Sequence, residues 1–149
     1  MKSKLLLKAT MSALLMAPVL ASAATPVIDV YKSAYCGCCG DWIKHLESSG
    51  FTVKTHNVAN PSDYREKHGI PNDLGSCHTG VVQGYAVEGH VPASDIKRLL
   101  AEKPKAKGLT APGMPLGSPG MEGPRKDPYD VLLVEGNGRS RVYKRHNTN

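Results

Sequence analysis

With 149 residues, 40% of them hydrophobic and 5% aromatic, the chain has the length of one domain with a core of its own. Its formal net charge of +6 is modest, and no basic run is interleaved with aromatic side chains, which excludes a nucleic-acid-binding surface. It has four cysteines, three of them packed into Cys36-Gly37-Cys38-Cys39, which excludes an ordinary disulfide scaffold, since such scaffolds spread cysteine along the chain.

The chain opens like an export signal. Lys2, Lys4 and Lys8 precede an apolar stretch from Ala9 to Leu20, and Ala21-Ser22-Ala23 forms a small-residue cleavage site. The apolar stretch is too short to span a bilayer. Residues 1–23 are therefore expected to be a secretory signal peptide. Residues 24–149 are then expected to form the exported mature protein, with no membrane span. The leader has no twin-arginine pair, so the chain is expected to cross the membrane unfolded and to acquire any metal afterwards.

Val27-Ile28-Asp29-Val30-Tyr31 reads as a buried strand running into the cysteine turn. Asp41 to Ser49 reads as a helix, with Trp42, Ile43 and Leu46 on one face and Gly50 just past its end. Phe51 to Thr55 alternates as a strand. Asn60-Pro61 marks a short helix, with Asn60 as the cap and Pro61 as the first helical residue, ending at Gly69. Val81-Val82 and Tyr85-Ala86-Val87 flank a tight Gln83-Gly84 turn. A helix follows from about Ala93 to Glu102, with Ile96, Leu99 and Leu100 inward.

From 104 to 128 prolines and glycines crowd the chain, and this stretch is expected to be a loop without regular helix or central strand. Asp130–Val134 and Arg139–Lys144, around Gly136-Asn137-Gly138, read as a terminal β-hairpin. The element order predicts an α/β, thioredoxin-like domain. It has a central sheet flanked by helices, a Gly/Pro-rich loop carrying Met114 and Met121, and a C-terminal β-hairpin.

Cys36 and Cys39 have CxxC spacing. If the motif opens a helix, the free N–H groups and the helix dipole favour thiolate there. Thiolate serves two chemistries, soft-metal binding and disulfide exchange. Cys77 precedes the strand at Val81-Val82, in the segment that packs on the CxxC turn of thioredoxin-like folds, and its sulfur is expected to meet the other three. Cys36, Cys38, Cys39 and Cys77 are then candidate metal ligands, and Cys36 and Cys39 are also candidate redox residues.

Adjacent Cys38 and Cys39 crowd a single tetrahedral zinc site, whereas Cu(I) accepts low coordination and bridging thiolates. Several Cu(I) ions are the expected cargo. His78, His45, Met114 and Met121 are secondary candidate ligands; their alternatives are structural roles or, for the methionines, cover for apolar surface. His56, His68, His90 and His146 look scattered and read as surface or structural residues.

Several separate motifs together resemble the CopG-type family of bacterial periplasmic copper-resistance proteins, long catalogued as a domain of unknown function. They are Tyr35-Cys36-Gly37-Cys38-Cys39-Gly40-Asp41-Trp42, Ser76-Cys77-His78-Thr79, Gly89-His90-Val91-Pro92, Gly113-Met114-Pro115 and Gly117-Ser118-Pro119-Gly120-Met121-Glu122. The resemblance implies a thioredoxin-like fold and a cysteine-bridged copper cluster on Cys36, Cys38, Cys39 and Cys77. It also implies a part in copper detoxification, by storing copper or interconverting Cu(I) and Cu(II).

The resulting expectation is a periplasmic Cu(I)-binding protein for copper resistance, with periplasmic copper-handling proteins or an electron donor as partners. Two alternatives stay open: a metal-free thiol–disulfide oxidoreductase and a copper chaperone without redox activity. The residues do not decide whether the protein is an enzyme, a copper or thiol oxidoreductase.

Overall fold

A computed structural model describes residues 25–148 of the chain. The expected signal peptide lies outside the described residues. Among the described residues, no helix is long and apolar enough to cross a membrane.

The chain begins with strand β1 (Val27–Lys32), in which Ile28 and Val30 are fully buried. Helix α1 (Gly37–Ser48) follows and turns Cys39, Trp42 and Leu46 to the core. It starts earlier than the predicted Asp41, because the cysteine turn itself is helical. Cys36 is its cap residue, and the Gly-Cys-Cys-Gly run lacks the apolar period that marks a helix in sequence. Asp41 lies inside the helix and pairs with Lys44 at the surface rather than capping it.

Strand β2 (Thr52–Asn57) runs parallel to β1. The short helix α2 (Ser62–Lys67) opens with the Asn60 side chain accepting the Ser62 N–H at 3.2 Å, the hydrogen bond expected of an N-cap. After a 3-10 turn at Asn72–Leu74 come β3 (His78–Val82) and β4 (Tyr85–Gly89). Gln83 and Gly84 between them have φ of 48° and 86°, the paired positive values of a tight hairpin turn. Helix α3 spans Ala93–Glu102, as its periodicity predicts.

The stretch 104–128 departs from expectation. Its first part is a strand, β5 (Ala106–Ala111), paired with β4 on one side and later with β6 on the other. The prolines of this stretch flank the strand without entering it, so no ladder N–H is lost. Gly108 sits at a bulge with φ near 159°, where a Cβ would collide with the Ala86 carbonyl. Here the glycine permits close strand approach; it does not break the strand. The loop proper is thus shorter, running between β5 and β6.

Strands β6 (Tyr129–Glu135) and β7 (Ser140–His146) form the terminal hairpin. The seven strands of the described residues make one sheet in the order β2-β1-β3-β4-β5-β6-β7. The β1-α1-β2 unit and the β3-β4 hairpin with α3 make a thioredoxin-like core, and β5 to β7 extend the sheet beyond β4.

The main core lies between one face of the sheet and the two long helices. It joins Ile28, Val30, Val87, Leu109, Val131 and Leu133 to Trp42, Leu46, Ile96 and Leu99. Alternate residues, Ala86 and Val134, face the other way and are covered by Ile70 and Leu74 from the chain after α2. This two-sided burial fixes the register of the central strands. It therefore fixes where β3 begins, directly after Cys77.

Candidate metal-binding thiol site

The site is built where β1 ends, α1 begins and β3 begins. Cys36 has extended φ and ψ and leads into α1, whose first turn carries Cys38 and Cys39. That turn has no side-chain cap and no acidic residue, so the positive end of the helix dipole beside the cysteines is not offset by the first turn's own side chains. Cys36 and Cys39 are joined in a disulfide, with Cα atoms 5.5 Å apart, and Cys38 and Cys77 are free thiols.

The four sulfurs converge. Cys77 Sγ lies 3.1 Å from Cys36 Sγ and 3.5 Å from Cys39 Sγ, and Cys36 Sγ lies 3.9 Å from Cys38 Sγ. All four lie within 4.8 Å of one another, close enough to share metal ions.

Two softer or borderline donors reach the same point. Met114, in left-handed backbone after β5, places Sδ 3.1 Å from Cys77 Sγ and 3.9 Å from Cys38 Sγ. His78, the first residue of β3, is fully buried and places Nδ1 3.2 Å from Cys39 Sγ and 3.6 Å from Cys77 Sγ. Its other nitrogen, Nε2, lies 3.1 Å from the Gly89 carbonyl. A carbonyl only accepts, so Nε2 carries the hydrogen and the Nδ1 lone pair faces the sulfurs.

Burial sets the protonation states. It pushes His78 down to about 3, helped by nearby His90 and opposed by the Gly89 carbonyl, so the ring is a neutral donor throughout the ordinary pH range. Burial, then the neighbouring Cys38 thiol, pushes Cys77 up to about 12. A thiolate in this pocket needs a cation beside it, and a metal ion supplies one.

The loop lies over this site as a strap. Gly120, at φ +82°, packs so tightly on α1 that a Cβ would stand 2.7 Å from the Trp42 backbone nitrogen and 3.2 Å from the Cys38 carbonyl. Ser118 is fully buried and its hydroxyl bonds the Pro115 carbonyl at 2.7 Å. Met121 closes a backbone turn with Ser118 and Gly117, and its thioether takes no part in the sulfur contacts.

His45 also stands apart, because its Nε2 accepts the Ala93 N–H at 3.0 Å and so caps α3. Met114 and His78 are thus drawn to the cysteines, whereas Met121 and His45 are not. Trp42 forms the floor of the site. It packs against His78, with ring centroids 4.4 Å apart and the planes tilted by 34°, and its indole N–H bonds the Val91 carbonyl at 2.9 Å.

Two features escaped the sequence reading. The first is the support beneath Cys77. Fully buried Glu88 on β4 accepts hydrogen bonds from the Ser76 N–H at 2.6 Å, the Ser76 hydroxyl at 3.0 Å and the Thr79 hydroxyl at 2.6 Å. Arg65 of α2 pairs with Glu88 at 3.3 Å and also bonds Asn72 and the Ser76 carbonyl. Both neighbours of the Cys77–His78 pair are therefore tied to one carboxylate. A Glu in a strand and an Arg in a distant helix give no local signal of this partnership.

The second feature is His90, read from sequence as surface or structural and found wholly buried with neither ring nitrogen hydrogen-bonded. The Pro119 carbonyl lies near the ring but outside hydrogen-bond geometry, and burial lowers the pKa of this imidazole.

Fold and site together define a thioredoxin-like domain whose CxxC turn is crowded by extra soft donors. The comparisons give this class its family. Two solved structures, titled "Copper resistance protein copG- Form 2" and "Copper resistance protein copG- Form 1", are each 49% identical to the chain. Each covers 82% of this chain and 98% of its own, with TM-scores of 0.78 and 0.77. A family profile described as "Protein of unknown function, DUF411" matches residues 74–121, from before Cys77 through Met121. The search of curated proteins gave no match. The chain belongs to the CopG family of copper resistance proteins.

Proposed function

We propose that this protein is a periplasmic copper-resistance protein that holds several Cu(I) ions in a thiolate cluster on Cys36, Cys38, Cys39 and Cys77. The convergence of four sulfurs from two separate segments carries this reading. Soft thiolates select Cu(I), and their charge offsets that of the ions. Relatives named for copper resistance support the choice of metal. Met114 adds a neutral soft donor and His78 a neutral nitrogen at the rim of the same pocket. The leader at residues 1–23 directs the chain to the periplasm.

The disulfide gives the site a redox partner for the metal. Two Cu(II) ions accept one electron each from the thiolates of Cys36 and Cys39, yielding two Cu(I) ions and the disulfide. The reverse reaction opens the disulfide and returns two Cu(II). Cu(II) is the oxidant in the first direction and the disulfide is the oxidant in the reverse, so the exchange balances between copper and the cysteine pair.

One observation favours a second reading, metal-free thiol–disulfide exchange. Cys77 Sγ lies 3.1 Å from Cys36 Sγ, within reach of the disulfide. The burial that keeps Cys77 protonated opposes it, because thiolate is the attacking species. Turnover of a model disulfide by metal-free protein would support exchange.

The test of the copper reading is an anaerobic Cu(I) titration of the reduced mature protein, followed by X-ray absorption. The expected result is more than one tightly held Cu(I) per chain in a sulfur-dominated first shell. A single ion, or a shell of nitrogen and oxygen only, would overturn it.

A further inference from the structure

The charged residues of the chain are unevenly divided. Residues 25–102, which form the thioredoxin-like core, hold seven lysines and arginines against nine aspartates and glutamates. Residues 103–148, which form β5, the strap, β6 and β7, hold nine against four. The extension therefore carries a net charge of +5 and the core −2. Such an imbalance within one chain points to an anionic partner on the basic side.

Four of the nine cations of the extension sit at the outermost strand. β7 pairs with β6 and with no other strand among the described residues, so one of its edges carries unpaired backbone N–H and C=O groups. Arg141, Lys144 and Arg145 lie within β7, Arg139 directly precedes it, and all four are exposed. Arg141 and Arg145 stand 3.6 and 3.5 Å from Glu135 and Asp130 of β6, near the limit of an ion pair. Arg139 and Lys144 have no acidic partner among the described residues.

Cations on an edge strand ordinarily keep two copies of that strand from pairing. The rest of β7 is not built to be inert. It runs for seven residues without proline, and Val142 at its middle is 42% exposed. It is also fixed to α3. The Tyr143 hydroxyl bonds Glu102 at 2.9 Å, the Arg98 guanidinium lies 4.3 Å from the Tyr143 ring centroid, and His146 bonds Asp95 at 2.7 Å. The opposite outer strand, β2, carries one lysine and no arginine, so this fold does not need a row of cations to guard an edge.

A fixed, extended strand with an open edge and a row of cations is a template for a strand of opposite charge. A second copy of this chain is unsuited, since it brings the same cations to the edge. An anionic membrane is unsuited as well. It offers no backbone groups to the edge, and Val142 is the only large apolar side chain that β7 exposes.

We propose that the free edge of β7 docks an acidic, extended segment of a partner protein, which joins the sheet as an eighth strand. Its backbone pairs with that of β7, and its carboxylates face Arg139, Arg141, Lys144 and Arg145. β7 lies four strand spacings from β3, roughly 19 Å, so the docked segment leaves the cysteines open. Docking at this edge requires no metal at the cysteines, so its test stands apart from the copper titration.

The probe is a short synthetic peptide of alternating glutamate and valine. It is titrated at low salt into the metal-free, isotope-labelled mature protein and followed by NMR. The expected result is saturable binding, with the largest shifts at the amides of Ser140–His146 and slowed hydrogen exchange there. Added salt should weaken binding. Arg141→Glu combined with Lys144→Glu should weaken it roughly tenfold, the size expected of two exposed ion pairs. Should the double variant not fold, each single substitution should show part of that loss. The same peptide with lysine for glutamate should not bind. N-methylation of the peptide backbone, which keeps the carboxylates and removes the ladder donors, should abolish the shifts.

No saturable binding, shifts centred outside β7, unchanged affinity in the charge-reversed variants, or equal binding by the N-methylated peptide would each overturn the proposal. So would vesicles rich in anionic phosphatidylglycerol that shift the β7 amides when the peptide does not.

Discussion

The neutral, buried His78 makes stability depend on pH in a way that can be calculated. Its pKa is about 3 in the folded protein, chiefly through burial, against 6.5 for a free imidazole. Below pH 6.5 the unfolded chain therefore takes up a proton that the folded chain refuses. Stability is lost as pH falls from 6.5 toward 3, and none of this contribution is lost above 6.5. Each unit of pKa difference corresponds to about 1.4 kcal/mol, so at pH 4.5 the loss is about 3 kcal/mol.

The assay is urea unfolding of the metal-free mature protein at pH 7.5 and 4.5, compared with His78→Gln. Glutamine keeps an N–H for the Gly89 carbonyl but does not titrate. Wild type should lose about 3 kcal/mol more than His78→Gln between the two pH values. Equal losses in the two proteins would refute the argument that His78 is held neutral, and with it the claim that Nδ1 stands ready as a donor at neutral pH.

Other outcomes follow from the same geometry. Glu88→Ala should destabilise the fold by about 3–5 kcal/mol, because it leaves buried Arg65 unpaired, and should raise the reactivity of the Cys77 thiol toward alkylating agents. Gly120→Ala should cost about 1–3 kcal/mol, through its positive φ and the clash with the Trp42 backbone, and should expose Cys38 to the same reagents as the strap lifts. Thiol counting on unfolded, unreduced protein should give two free thiols, from Cys38 and Cys77, and reduction should give four. Metal binding at the cysteines should weaken as pH falls, because each thiol must lose its proton, and a competition titration from pH 8 to 6 would show it.

The parts of the fold set by local rules were legible in the sequence. The Gln83-Gly84 turn, the Asn60 cap and helix α3 each announce themselves within a few residues. The cysteine quartet was legible for a different reason: thiols this dense have few alternatives, and a thioredoxin-like order of elements puts Cys77 opposite the motif.

What stayed hidden depends on partners distant in the chain. β5 was masked by flanking prolines, and only its neighbours β4 and β6 make Gly108 an asset. His45 was a secondary candidate ligand with a structural alternative, and its bond to the Ala93 N–H shows only once α3 is placed against it. His90 differs in sequence from a surface histidine in nothing, and its meaning comes only from β4 turning it under Trp42 and toward His78. Glu88 and Arg65 are likewise unremarkable charges until the sheet buries both beneath Ser76.

The central claim is that Cys77 joins the three cysteines of the helix start in one copper-holding pocket. Cys77→Ser tests it most directly, with Cu(I) affinity and stoichiometry of the reduced protein measured anaerobically against a competing chelator. The account predicts fewer Cu(I) ions per chain and weaker retention of those that stay. Unchanged stoichiometry and affinity in Cys77→Ser would contradict it.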